Sequence, residues 1–190
     1  LVEWDYISFK EDTAAYQLKR LKRYLENLDD FADFTNITFA ESILHYTKDG
    51  MEFICRPAGI MAFNRGRHPT GVICDDILKD PTGKIDVSQL KKIEQTFFED
   101  IEQMPKEELH VVGTPQDAQD IFYVLKERSD YNVRYYPAVV NHATKEVLWK
   151  EKYPFDWLMA QKNRIGDKAF NKEMLCRPVR SEESYLTEYD

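Results

Sequence analysis

The run Val72-Ile73-Cys74-Asp75-Asp76 constrains this chain more than any other feature. A short apolar stretch that stops at two adjacent carboxylates reads as a buried strand delivering acid groups to its C-terminal end, the edge at which open α/β sheets bind ligands. The flanking segments agree. Val2 to Phe9 reads as a first strand, after which Asp12 or Thr13 caps a helix with Ala14, Leu18, Leu21, Leu25 and Leu28 on one stripe. Lys19, Arg20, Lys22 and Arg23 fall mostly outside that stripe, on its solvated face. Met51 to Cys55 and Gly59 to Phe63 suggest two short strands around the turn Arg56-Pro57-Ala58.

Downstream, Asp86 and Gln89 fit a capping box, and Val87, Leu90, Ile93, Phe97, Ile101 and Met104 recur at helical spacing until Pro105. Leu109 to Gly113 is a compact strand. Thr114 then serves as N-cap, with Pro115 in the first helical position, for a helix burying Ile121, Phe122, Val124 and Leu125. Tyr131 to Val140 alternates as a further strand. Phe155 to Arg164 predicts a helix ended by Gly166, and Asp167 caps another that runs to Cys176. Strand, helix, strand, helix, strand at these spacings predicts an α/β fold, a mostly parallel sheet with helices on both faces. One domain spans residues 1–180, and the acidic stretch 181–190 reads as a linker or frayed end.

Composition removes several classes. A length of 190 residues suits one domain with a sizeable core, and 43% hydrophobic with 32% charged residues describes a globular chain with a solvated surface. No apolar run approaches the roughly 20 residues that span a bilayer, so no membrane partner is expected. A net charge of -8 argues against a freestanding nucleic-acid-binding module, because phosphate neutralisation needs an excess of Lys and Arg. Cys55, Cys74 and Cys176 are scattered and read as reduced thiols of an intracellular protein.

Two carboxylates at a strand end have a specific use in nucleotide hydrolysis. Asp75 would hold Mg²⁺ through its water shell and Asp76 would polarise the attacking water. The plainer reading is a turn or helix cap, the usual fate of an Asp-Asp pair. Gly113-Thr114 ends a neighbouring strand at the same edge, where the hydroxyl would sense the γ-phosphate; capping alone also explains it. Arg65 and Arg67, on either side of Gly66, would approach a phosphate as an arginine finger, or simply be solvated. With seven glycines, the chain has no Gly-rich turn ending in Lys-Ser or Lys-Thr; Thr82-Gly83-Lys84 comes nearest. Alone, it should bind nucleotide poorly.

Four blocks, in order, resemble the large terminase subunit of tailed bacteriophages, the ATPase that drives DNA into a procapsid. Ala14 to Phe31 is similar to the family's helix after the strand that follows the P-loop. Arg65-Gly66-Arg67-His68-Pro69 through Val72-Ile73-Cys74-Asp75-Asp76 resembles its arginine-glycine loop and Walker B strand. Val111-Val112-Gly113-Thr114-Pro115, with Asp120-Ile121 after it, resembles the coupling motif, and Phe170 to Pro178 resembles the segment closing the ATPase domain. The resemblance implies a P-loop NTPase-like core of the ASCE type, incomplete at its N-terminus, with the P-loop just before Leu1 and a nuclease domain downstream. It implies ATP and Mg²⁺ as cofactors, Asp75 as the Mg²⁺ carboxylate, and Asp76 where many members carry a catalytic Glu. Gly113 and Thr114 would couple hydrolysis to movement, and Arg65 and Arg67 would meet the nucleotide.

The implied partners are double-stranded DNA, the portal protein, the small terminase subunit and further copies in a ring, in the cytoplasm of a bacterial host. The expected consequence of a missing strand is an open sheet edge or gap with apolar residues exposed. Two other classes compete: a non-catalytic α/β assembly module that has lost nucleotide binding, and a metal-dependent nuclease. The latter needs further converging carboxylates, and Glu107 and Glu108 lie at the opposite end of their strand.

Overall fold

The computed structural model describes residues 1–63, 66–80, 85–118 and 120–178. It divides into two compact units, Leu1–Gly113 and Thr114 onward. The first unit is α/β. Its six-stranded sheet has the order β2-β3-β4-β1-β5-β6, built from β1 (Val2–Ser8), β2 (Thr35–Asn36), β3 (Leu44–Lys48), β4 (Met51–Gly59), β5 (Gly71–Asp75) and β6 (Glu108–Val112). β4, β1, β5 and β6 run parallel, while β2 and β3 are antiparallel additions on one side.

Helix α1 (Glu11–Leu25) packs on one face of this sheet, placing Leu18 against Leu44, Tyr46 and Cys55. Its buried stripe is Ala14, Leu18 and Lys22, rather than the full run of leucines, because Leu21 and Leu28 stay largely exposed. Lys22 is buried with its Nζ donating to the carbonyls of Thr38 and Ala40, at 3.3 and 3.1 Å, which keeps the ammonium hydrogen-bonded where its stem is covered. The helix begins at Glu11 with Lys10 in the cap position and no side-chain cap. Neither Asp12 nor Thr13 serves, since the chain turns straight out of β1 into the helix and leaves no room for two further residues.

Ile7, Val72 and Cys74, on the other face, are fully buried. The connection between the parallel neighbours β5 and β6 carries α2 (Val87–Thr96), a crossover whose usual right-handed sense puts the helix on that face, and its buried Ile93 leads into a π-helical turn, Phe97–Ile101, that buries Phe97 and Ile101. The capping box expected at Asp86 is present: its side chain accepts from Gln89 N, and the Gln89 side chain accepts from Asp86 N.

Pro57 corrects the sequence reading of a turn. β4 is one continuous strand through Arg56-Pro57-Ala58, with Tyr6 opposite Pro57 on β1. Pairing with β3 stops at Leu44 opposite Cys55. Beyond that point no strand on the β3 side requires a donor from the proline. At the C-terminal end of β4, Gly59 lies so close to α1 that a Cβ there would meet the backbone nitrogen of Glu11 at 2.5 Å.

The second unit packs α4 (Phe155–Ile165) and α5 (Asp167–Leu175) around Val139, Leu158 and Phe170. Gly166, at φ +82°, ends α4 as the sequence predicts, but it also takes the cap position of α5, whose first residue is Asp167, so the expected Asp167 cap does not form. Of the expected Tyr131 to Val140 strand only Val139 and Val140 form strand, in β7 (Val139–Asn141), which pairs with β8 (Glu146–Val147) as a short hairpin. Tyr131, Tyr135 and Tyr136 instead lie outside regular structure, with cation–π contacts from Arg128 to Tyr131 and Lys126 to Tyr135 taking the place of strand partners. Helix α3 (Ile121–Lys126) starts later than Thr114 predicts, and its cap is Asp120. The acidic stretch 181–190 lies outside the described residues. No helix among the described residues is long and apolar enough to cross a membrane.

Candidate functional site

Strand order reverses between β1 and β5: the connection from β1 leads by way of α1 toward β4 and the antiparallel strands, while that from β5 leads by way of α2 to β6 on the other side. The crevice outside the carboxyl ends of strands at such a switch point is where open α/β sheets take ligands. The residues delivered there are Ser8-Phe9-Lys10 from β1 and Asp75-Asp76 from β5. The carboxylate pair therefore lies where the sequence predicts.

The two aspartates are held differently. Asp75 is the last residue of β5, and on the parallel register Tyr6 of β1 lies opposite Ile73, so Tyr6 and Asp75 share a face. The Tyr6 hydroxyl reaches forward and donates to Asp75 Oδ2. Burial, then this hydrogen bond and the negative field of Asp75 and Asp76, push the Tyr6 phenol far above its usual range, so it remains a donor at any physiological pH. Asp76 leaves the strand in the left-handed region at φ +50°, where Asp and Asn are the tolerated non-glycine residues. Its N–H donates to Val112 O of β6 at 3.0 Å and its carbonyl accepts from Lys79 N at 3.0 Å. The chain thus turns sharply at the sheet edge with Asp76 fixed by backbone.

Around them, Lys10 Nζ pairs with Asp80 Oδ1 at 3.2 Å, tying the start of α1 to the loop after β5. A cavity of about 380 Å³ opens between α1 and the sheet, lined by Tyr6, Gln17, Leu18, Arg20, Leu21 and Tyr24. On the same sheet face Trp4 lies across Gly71 and stacks on His110 of β6, ring centroids 5.8 Å apart. A Cβ at Gly71 would be 2.6 Å from the indole, so only glycine admits this packing.

The arginine loop is only partly described. Arg65 lies outside the described residues; Arg67 places its Nε 3.4 Å from Asp5 Oδ2. Asp5 sits in the middle of β1, opposite Val72, on the face away from Tyr6 and Asp75. Its carboxylate is buried, Oδ2 makes no hydrogen bond, and burial raises its pKa despite the nearby Arg67 and Arg56 guanidiniums. Arg67 is thus engaged on β1 rather than beside Asp75. Gly113 follows β6 directly, and Thr114 opens the second unit.

Sequence reasoning missed Tyr6 and Asp5. Tyr6 looked like one more aromatic of a strand, and only the parallel register puts its hydroxyl on a carboxylate far away in sequence. The signal for Asp5 was a carboxylate alternating onto the same strand face as Ile7. Cys55 and Cys74 are free and buried, their thiols pushed up by burial, Cys55 to about 12, which leaves them inert as nucleophiles.

No group of three or more His, Cys, Asp or Glu side chains converges as a metal cage among the described residues. Two adjacent carboxylates instead fit Mg²⁺, which keeps most of its waters and is held by one or two carboxylates together with substrate phosphates. The chain matches no family model and no curated protein.

Proposed function

We propose that this chain is the ATPase-domain part of a viral DNA-packaging motor of the terminase type, with a P-loop NTPase-like core. The observation that carries the reading is the placement of Asp75 and Asp76 at the switch point between β1 and β5. The order of the four sequence blocks supports it. Among the described residues β6 is the last strand of the sheet, and Val112 on it is 58% exposed. That edge suits a further parallel strand carrying the Gly-rich phosphate cradle, which the sequence of 190 residues does not contain.

In this reading, Asp75 would hold Mg²⁺ through its water shell with the oxygen that Tyr6 leaves available. Mg²⁺, when bound, neutralises charge on the transferred phosphoryl group. Asp76, fixed at the sheet edge by its N–H bond to Val112, accepts a proton from the attacking water. Gly113 and Thr114 follow β6, the strand that holds Asp76, and so pass a change at the carboxylate to the second unit. The substrate of movement is double-stranded DNA, acted on by a ring of copies with a portal and a small subunit, in a bacterial host.

The test is ATP turnover by the longest natural form of the protein, with and without double-stranded DNA. Asp75→Ala and Asp76→Ala should each abolish a DNA-stimulated activity. Turnover unchanged by both would support the non-catalytic assembly module instead.

A further inference from the structure

We infer that Tyr6 is the positioning residue of the candidate metal site: its hydroxyl occupies Asp75 Oδ2 and restrains the carboxylate, leaving Oδ1 for the metal's water shell. The inference rests on the reading of Asp75 as a metal carboxylate. Three observations carry it. Tyr6 is only part-buried and lines the cavity beside α1, so its hydroxyl could have been satisfied by water, yet it is bonded to Asp75. The two residues are placed by a parallel register shared with the fully buried Val72 and Cys74, so the bond is built onto strands anchored in the core of the unit. The carboxylate so held stands beside a turn that is itself fixed, since Asp76 N donates to Val112 O and Asp76 O accepts from Lys79 N, each at 3.0 Å.

Groups that orient a metal ligand through a hydrogen bond cost roughly 10- to 100-fold in metal affinity when removed. Tyr6→Phe deletes one oxygen and keeps the ring in place. The carboxylate of Asp75 then has a choice of rotamers and spends less time in the one that presents Oδ1.

The experiment is titration of Mn²⁺ at a fixed concentration of ADP into the longest natural form of the protein, followed by the electron paramagnetic resonance of the free ion and corrected for the Mn²⁺–ADP complex, on wild type, Asp75→Asn, Tyr6→Phe and the double variant. Urea unfolding in chelator establishes that each variant is folded. The expected result is a site lost in Asp75→Asn, weakened about tenfold in Tyr6→Phe, and no further change when Tyr6→Phe is added to Asp75→Asn. A purely structural tyrosine would change the unfolding midpoint and leave Mn²⁺ affinity alone. Wild-type affinity in Tyr6→Phe, with the site still lost in Asp75→Asn, overturns the role of Tyr6 and leaves the metal reading standing. Mn²⁺ binding indifferent to Asp75→Asn overturns both.

Discussion

Replacing Asp120 with alanine should destabilise the second unit more than any change at Thr114. Asp120 is 6% exposed and its carboxylate gathers three backbone donors: Phe122 N at 3.0 Å on Oδ1, and Gln116 N at 2.6 Å and Asp117 N at 3.1 Å on Oδ2. Loss of the cap bond to Phe122 costs about 1 kcal/mol. The other two amides belong to part-buried residues, and each left without its acceptor costs about 1 kcal/mol at the lower end of the usual range. Asp120→Ala is thus expected to lose about 2–3 kcal/mol, and Asp120→Asn, which keeps one acceptor oxygen, about 1 kcal/mol. Thr114→Ala should fall within about 0.5 kcal/mol of wild type. The assay is urea unfolding followed by far-ultraviolet circular dichroism and by tryptophan emission, since Trp149 and Trp157 report the second unit and Trp4 the first. A larger loss for Thr114→Ala than for Asp120→Ala would refute the assignment of the cap.

Two further outcomes are expected. Gly59→Ala should cost about 1–3 kcal/mol in the first unit, because the added methyl meets backbone at the start of α1 and not a flexible side chain; thermal melting of the variant beside wild type measures it. Burial raises the folded pKa of Asp5 above its unfolded value, so its favourable contribution is fully present below about pH 3.9 and is lost as pH rises through the folded pKa. Wild type should therefore gain stability relative to Asp5→Asn as pH falls from 7 to 4, and parallel urea titrations at the two pH values that show no such gain would contradict a buried, destabilised carboxylate.

Several elements were legible because their signals are local. The apolar run into Asp75, the Asp86–Gln89 capping box and the glycine between α4 and α5 each state their structure within a few residues. Pro57 misled because its cost depends on where β3 stops pairing, which is a fact about another strand. Thr114-Pro115 has good helix-start chemistry, yet the three donors gathered by the Asp120 carboxylate outweigh a single threonine cap. Lys22 appeared solvated because its neighbours Lys19, Arg20 and Arg23 are charged too; the carbonyls of Thr38 and Ala40 that receive it are supplied by a later loop. For the site, the carboxylate pair was readable as chemistry at a strand end. Tyr6 and the Arg67–Asp5 pair were not, since both arise where β1 meets β5 and the loop before it, a meeting set only by the order of the sheet.

Asp76→Asn gives the most direct test of the proposed chemistry, because asparagine matches aspartate in shape and accepts the left-handed backbone at this position. The measurement is phosphate release from Mg²⁺·ATP by the longest natural form, with nucleotide binding followed in parallel. If Asp76 activates the attacking water, release falls by about 100-fold or more while nucleotide binding stays near wild type. Release within about threefold of wild type, far short of the usual general-base effect, would contradict that role and with it the motor reading of this edge.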